Sequence, residues 1–129
     1  MKKLVVVVLV VAALFMGGAF AVAFTPAKLD PADFETLQAA NVDNGEKVFW
    51  AGGCAGCHAA PGASGEARLV LSGGLAIHSD FGTFYAPNIS PDKSHGIGDW
   101  SLVDFANAVK KGVDRHGGNL YPSLPYTSY

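Results

Sequence analysis

Methionine is absent after Met16, and cysteine occurs only at Cys54 and Cys57. A bridge across two intervening residues closes too small a loop to stabilise much, so a disulfide framework is a weak explanation for this pair. Charge is scarce as well. Asp, Glu, Lys and Arg make up 16% of the 129 residues and the formal net charge is −2. No cationic surface of the kind that neutralises nucleic-acid phosphates is available, and none is expected. No paired carboxylates, nucleophile–base set or internal repeat is visible, which leaves no motif for substrate turnover. The glycines of GGLAIHSDFG (73–82) lack the strand-to-helix setting of a nucleotide loop. The length suits one domain, so one site should carry the function.

What the chain does have begins at its start. Lys2 and Lys3 precede an uncharged apolar run, Leu4 to Phe24. A cationic end followed by such a run is an export pattern, because the basic end stays inside while the apolar segment enters lipid. Ala21-Val22-Ala23 suits signal cleavage, yet the run is also long enough to span a bilayer, which needs about 20 residues. Residues 1–24 are therefore read as a signal peptide or a transmembrane anchor, and the chain as one that leaves the cytoplasm, soluble or held at a membrane. A buried core helix is disfavoured, since the run has no polar face. Without residues 1–23, seven Lys and Arg face eleven Asp and Glu, a formal charge of −4.

Residues 25–41 read as a linker and a short helix, with Asp30 as cap, Pro31 at the first helical position, and Phe34 and Leu37 facing inward. In VDNGEKVFWAGG, Asp43 stands three residues before Glu46 like a capping box. Val48 and Phe49 are apolar anchors there, and Gly52 and Gly53 end the helix. From Ala59 to Asp99 the chain is rich in Gly, Pro, Ser and Asn, and is read as long loops with a short strand near Arg68 to Leu71. Loops of that length seldom occur without a core of their own. A large apolar cofactor would supply one. Helical order returns in SLVDFANAVKKG, where Ser101 caps, Asp104 follows three on, and Leu102, Phe105, Ala106 and Val109 keep helical spacing. Lys110 and Lys111 oppose the negative end of the helix dipole and Gly112 supplies the stop.

Between the helices lies GGCAGCH (52–58). Cys-x-x-Cys-His is the attachment pattern of c-type haem. Two thiols add to the two vinyl groups of the porphyrin, and the next residue, a histidine, is held beneath the iron. Cys54 and Cys57 would be the thioether anchors and His58 the proximal ligand. A redox disulfide of the thioredoxin kind requires a βαβ pattern that the chain lacks. A zinc site could be assembled on paper from Cys54, Cys57 and His58 with His78, His95 or His116, although adjacent Cys and His ligands strain one tetrahedral centre. Covalent haem attachment takes place outside the cytoplasm, so the export run and the motif support each other.

With these residues in view, the chain resembles the class I c-type cytochromes, and in particular the small cytochrome subunits of bacterial membrane-bound dehydrogenases. The resemblance is carried by NGEKVFWAGGCAGCHAAPG, LSGGLAI, FGTFYAPNISPDKSHGIGDWSLVDFANAVKKGV and LYPSLPYTSY. It implies a mostly α fold over residues 42–129, a helical domain wrapped round one covalent haem c. It also implies that Pro87, Asn88 and Ile89 line the pocket, that Trp100 closes an edge near the propionates, and that Tyr121 and Leu124 come from the opposite loop. Asn88 as a turn residue and Trp100 as ordinary core remain open. The implied role is single-electron transfer, with no turnover of its own, between a periplasm-facing dehydrogenase or other redox protein and a quinone or oxidase.

The chain departs from that pattern at Leu124, where such cytochromes carry a methionine as second axial ligand. Three explanations stay open. The one we take first places a ligand methionine and the closing helix of the fold beyond Tyr129. The second is a five-coordinate iron, as in a haem-based ligand sensor. The third is a second histidine on the iron, His116 before His78 and His95, which would lower the potential relative to a Met/His pair. If the thiols anchor the haem, Cys54→Ala combined with Cys57→Ala releases all of it into acidified organic solvent, whereas the unsubstituted chain retains it. Equal extraction from both proteins contradicts the assignment.

Overall fold

The computed structural model describes residues 2–35 and 40–123. Helix α1 (Lys2–Phe24) is apolar throughout, and none of it is buried against the rest of the described chain. Its 23 residues extend about 34 Å at 1.5 Å each, enough to cross the roughly 30 Å hydrocarbon layer. A signal sequence and a retained anchor share these properties. Among the described residues nothing covers α1, which goes against the reading as a buried core helix.

Beyond α1, a 3₁₀ turn at Pro31–Phe34 is capped by Asp30, whose Oδ1 accepts from the Ala32 N–H at 3.0 Å. Phe34 is half-buried and the turn packs on the last helix; Leu37 lies outside the described residues. Helix α2 (Val42–Ala51) starts two residues earlier than Asp43 would place it. Asn41 is the cap, its Oδ1 accepting from the Asn44 N–H at 2.8 Å, and Asp43 instead sits in the first turn, where its charge opposes the helix dipole. Gly52 closes α2. Gly53, at φ +67°, turns the chain in the left-handed region that glycine adopts without strain, and helix α3 (Cys54–His58) begins at once.

The middle of the chain differs from the expected loops. Residues 65–70 form a 3₁₀ helix rather than a strand, held by local i→i+3 bonds such as Ala67 N–H to Ser64 O at 3.2 Å. The strands lie further on: β1 (Ala76–Ser79) pairs antiparallel with β2 (Gly82–Tyr85), Ile77 opposite Phe84, across a tight turn at Asp80 and Phe81. The ladder continues past the strands through Ala86 N–H to Leu75 O (2.9 Å), Gly74 N–H to Ala86 O (2.8 Å) and Ile89 N–H to Leu71 O (3.0 Å). Residues 71–75 are thereby stitched to residues 86–89.

Helix α4 (Leu102–Lys111) has the expected ends: a reciprocal Ser101–Asp104 capping box, Lys110 and Lys111 in the last turn, and Gly112 left-handed at φ +63°. The described protein buries one side of it. Asn107 and Ala108 are buried, whereas Leu102 and Phe105 are 54% and 46% exposed. Asn107 is occupied by the linker, its Oδ1 accepting from the Leu29 N–H at 2.8 Å. Among the described residues the buried apolar set is small: Ala55, Ala59, Ala86, Ala108 and Val113. Val48, Trp50, Leu69, Val70, Leu102 and Phe105 keep much of their apolar surface exposed.

Asp104 titrates below the usual carboxylate range because Ser101 donates to it through side chain and backbone. Asp114 does so chiefly through the Gly118 N–H, and Asp92 through the His95 and Ser94 N–H groups. Each carboxylate is held more acidic folded than unfolded. Their contribution is therefore complete above the unfolded value near pH 4 and is lost as pH falls through the lower folded values. The melting temperature should fall between pH 5 and pH 2, and Ser101→Ala should destabilise by about 1 kcal/mol at neutral pH while lessening that acid sensitivity. An acid-insensitive melt contradicts this account.

Candidate haem-attachment site

Helix α3 is only five residues long, and its periodicity sorts them. Cys54, Cys57 and His58 stand at i, i+3 and i+4, so they share one face; Ala55 and Ala59 stand four apart and share another. That second face is the one the protein buries, at 3% and 9% exposure. The small alanine side chains let α3 sit close against its neighbours and leave the thiols on the other side of the helix. Both thiols are free, Cys54 partly covered and Cys57 exposed. The disulfide reading has no counterpart here. Among the described residues no three His, Cys, Asp or Glu side chains converge to hold a metal ion, so neither has the zinc set.

His58 is the most tightly specified of the three donors. Its Nδ1 lies 2.8 Å from the Pro87 carbonyl oxygen. A carbonyl can only accept, so Nδ1 carries the proton and the lone pair of the neutral ring lies on Nε2. The imidazole is thus set, in tautomer and in ring orientation, to offer Nε2 to a metal, the arrangement in which the second ring nitrogen of a metal-bound histidine is held by a carbonyl. The carboxyl end of α3 is fixed as well: the His58 carbonyl accepts from the Gly73 N–H at 2.7 Å.

The other expected residues fall on two segments. Pro87, Asn88 and Ile89 leave β2 together. Pro87 holds His58, Ile89 is pinned to Leu71, and Asn88 Oδ1 accepts from the Ser90 N–H at 2.8 Å, which gives Asn88 a turn-forming role. Ser90 is buried, and its carbonyl accepts from Ile97 N–H at 2.9 Å. Gly98 is required in this loop, since a Cβ there would stand against the Pro91 carbonyl. Trp100 is half-buried just before α4, beside the ion pair of Asp99 with Arg115 at 2.8 Å. Tyr121 stacks on Phe84 with ring centroids 3.5 Å apart and planes 13° from parallel, joining the chain after α4 to the hairpin. Leu124 lies outside the described residues.

The remaining histidines are engaged locally. His78 Nδ1 is 3.0 Å from Thr83 Oγ1 across the hairpin, and His95 lies 3.4 Å from Asp92 on an exposed turn. His116 is exposed in the loop after α4, its backbone N–H donating to Asp114 Oδ1. Sequence reasoning missed Gly73, whose role arises only where residues 58, 73 and 87 meet.

The donor set and its setting fit a covalent haem: two unpaired thiols and a tautomer-fixed imidazole share one helical face, in a chain that leaves large apolar side chains uncovered. If Tyr121 and Phe84 hold the loop to the hairpin as the stack indicates, a double-mutant cycle with Tyr121→Ala and Phe84→Ala should give a coupling of about 1 kcal/mol in denaturant unfolding. A coupling of zero contradicts it.

No protein-family model matches the chain. Individual proteins do. A diheme cytochrome c-type protein of Cereibacter sphaeroides is 57% identical over 104 residues, covering 81% of this chain and 35% of that protein. The gluconate 2-dehydrogenase cytochrome c subunit of Pantoea cypripedii is 46% identical over 88 residues, 68% of this chain and 19% of its own length. The cytochrome c subunit of the alcohol dehydrogenase (quinone) of Gluconobacter oxydans is 39% identical over 112 residues, 87% of this chain and 21% of its own length. The chain therefore spans about a third of the first of these relatives and less of the other two. By these similarities the chain is a c-type cytochrome, related to the cytochrome subunits of bacterial dehydrogenases.

Proposed function

We propose that the chain is a one-electron carrier, not an enzyme, which holds a single haem c and serves a dehydrogenase on the outer side of a bacterial membrane. The observation that carries the reading is the common face of Cys54, Cys57 and His58, with His58 Nδ1 tied to Pro87 O at 2.8 Å. One haem for these 129 residues is supported by two cysteines in one motif; the diheme relative is more than twice as long. The dehydrogenase partner is supported by the names of the relatives, and the location by α1.

Cys54 and Cys57 would hold the group through thioether bonds, and His58 would ligate its iron through Nε2. When bound, the haem supplies a ferric/ferrous couple. The protein's own contribution is positional and electrostatic. The α3 face fixes where the three donors stand. The Pro87 carbonyl, by accepting from Nδ1, makes Nε2 a stronger donor and favours the oxidised state. Pro87, Asn88 and Ile89 on one side, and Tyr121 with Leu124 on the other, are the residues assigned to its walls, with Trp100 at an edge. His116 is the weaker assignment for a second axial ligand, being exposed in its loop.

A second reading, a five-coordinate haem that binds a small gas ligand, is favoured by one fact: no methionine occurs from residue 17 to residue 129. The optical spectrum separates the two. A low-spin ferrous spectrum unaltered by CO supports electron transfer, whereas a high-spin spectrum that shifts at once on adding CO supports the open site. His58→Ala should abolish the low-spin signal and weaken haem retention, and an unchanged spectrum would show that another residue is the proximal ligand.

A further inference from the structure

We infer that Gly73 is a positioning residue for the His58 imidazole, and through it sets the electron affinity of the site. The inference rests on the haem reading above. Gly73 is buried between the end of α3 and the start of the 86–89 segment, at φ +73°. Its N–H donates to the His58 carbonyl at 2.7 Å. A Cβ at this position would stand against the Ala86 carbonyl oxygen and 2.6 Å from both the carbonyl carbon and the oxygen of Pro87. That Pro87 oxygen is the atom that accepts from His58 Nδ1. A single hydrogen where other residues carry carbon therefore determines how closely the acceptor approaches the imidazole.

The 86–89 segment cannot relieve such a contact by sliding. Ala86 is bonded to Gly74 and Leu75, and Ile89 to Leu71, so the group between these bonds that is left to turn is the Pro87 carbonyl. Turning the Pro87 carbonyl away from Gly73 alters the length and angle of the bond to Nδ1–H. A weakened bond there makes Nε2 a poorer donor and disfavours the ferric state.

Gly74 provides the control. It also has a left-handed backbone, φ +98°, so an alanine there carries comparable strain, but its Cβ would meet only the Pro61 ring at 3.5 and 3.9 Å, an ordinary contact. The full chain and its Gly73→Ala and Gly74→Ala variants are made in a host competent to attach haem c, and attachment is checked by mass. Gly73→Ala should shift the ferric/ferrous ratio about tenfold toward ferrous, which is about 59 mV for one electron, and should speed solvent exchange of the His58 ring N–H; Gly74→Ala should match the unsubstituted protein in both. An unchanged potential in Gly73→Ala, or an equal shift in Gly74→Ala, overturns the inference. Should Gly73→Ala fail to assemble, amide and ring-proton exchange in the unsubstituted protein decides. Protection of Gly73 N–H and His58 Nδ1–H that falls together supports the clamp, and a freely exchanging Gly73 N–H beside a protected ring proton overturns it. Absence of haem from the unsubstituted protein overturns the underlying reading as well.

Discussion

The bond from His58 Nδ1 to the Pro87 carbonyl ties the five-residue helix α3 to a segment that starts 29 positions away, and most of the described site is arranged so that this bond can form. The hairpin brings Ala86 back opposite Leu75, and Pro87 then presents its carbonyl. Leu71 pins Ile89 beyond it, while Gly73 fills the remaining space without a side chain and holds the end of α3. At 2.8 Å no water fits between the carbonyl and the ring N–H, so each must satisfy the other. The result leaves the opposite ring nitrogen available.

The same economy explains the alanines. Ala55 and Ala59 are among the few buried apolar residues described, and a larger side chain at either would overpack the side of α3 that the protein buries. A helix of five residues has little stability alone. It keeps its shape because both ends are fixed, by the left-handed Gly53 before it and by Gly73 after it. The geometry of the thiols is thus a property of the surrounding loops as much as of the motif.

How much of this could be read from sequence depended on whether the cause was local. Helix α4 was legible to the residue, since Ser101, Asp104 and Gly112 act on their own turn. The apolar helix α1 was legible for the same reason. What failed was non-local. The hairpin strands are four residues each, set among glycines, and their pairing comes from the ladder rather than from propensity. The burial of Asn107 on α4 was not legible either, since it is recruited by Leu29, a partner 78 positions distant. Asn41 displaced Asp43 as cap of α2 because both residue types cap equally well and spacing alone does not choose. Gly73 looked like any other loop glycine until residues 58 and 87 were placed beside it.

The Leu29–Asn107 bond has a bearing on where electrons can be exchanged. From Phe24, the last residue of α1, to Leu29 the backbone advances five residues, at most about 18 Å when fully extended. A domain gripped at that point is leashed rather than tethered by a long flexible stalk. With α1 retained in a bilayer, its travel would be confined to a thin layer above the lipid, and encounters with redox partners would become a two-dimensional search conducted within one molecular diameter of the membrane surface.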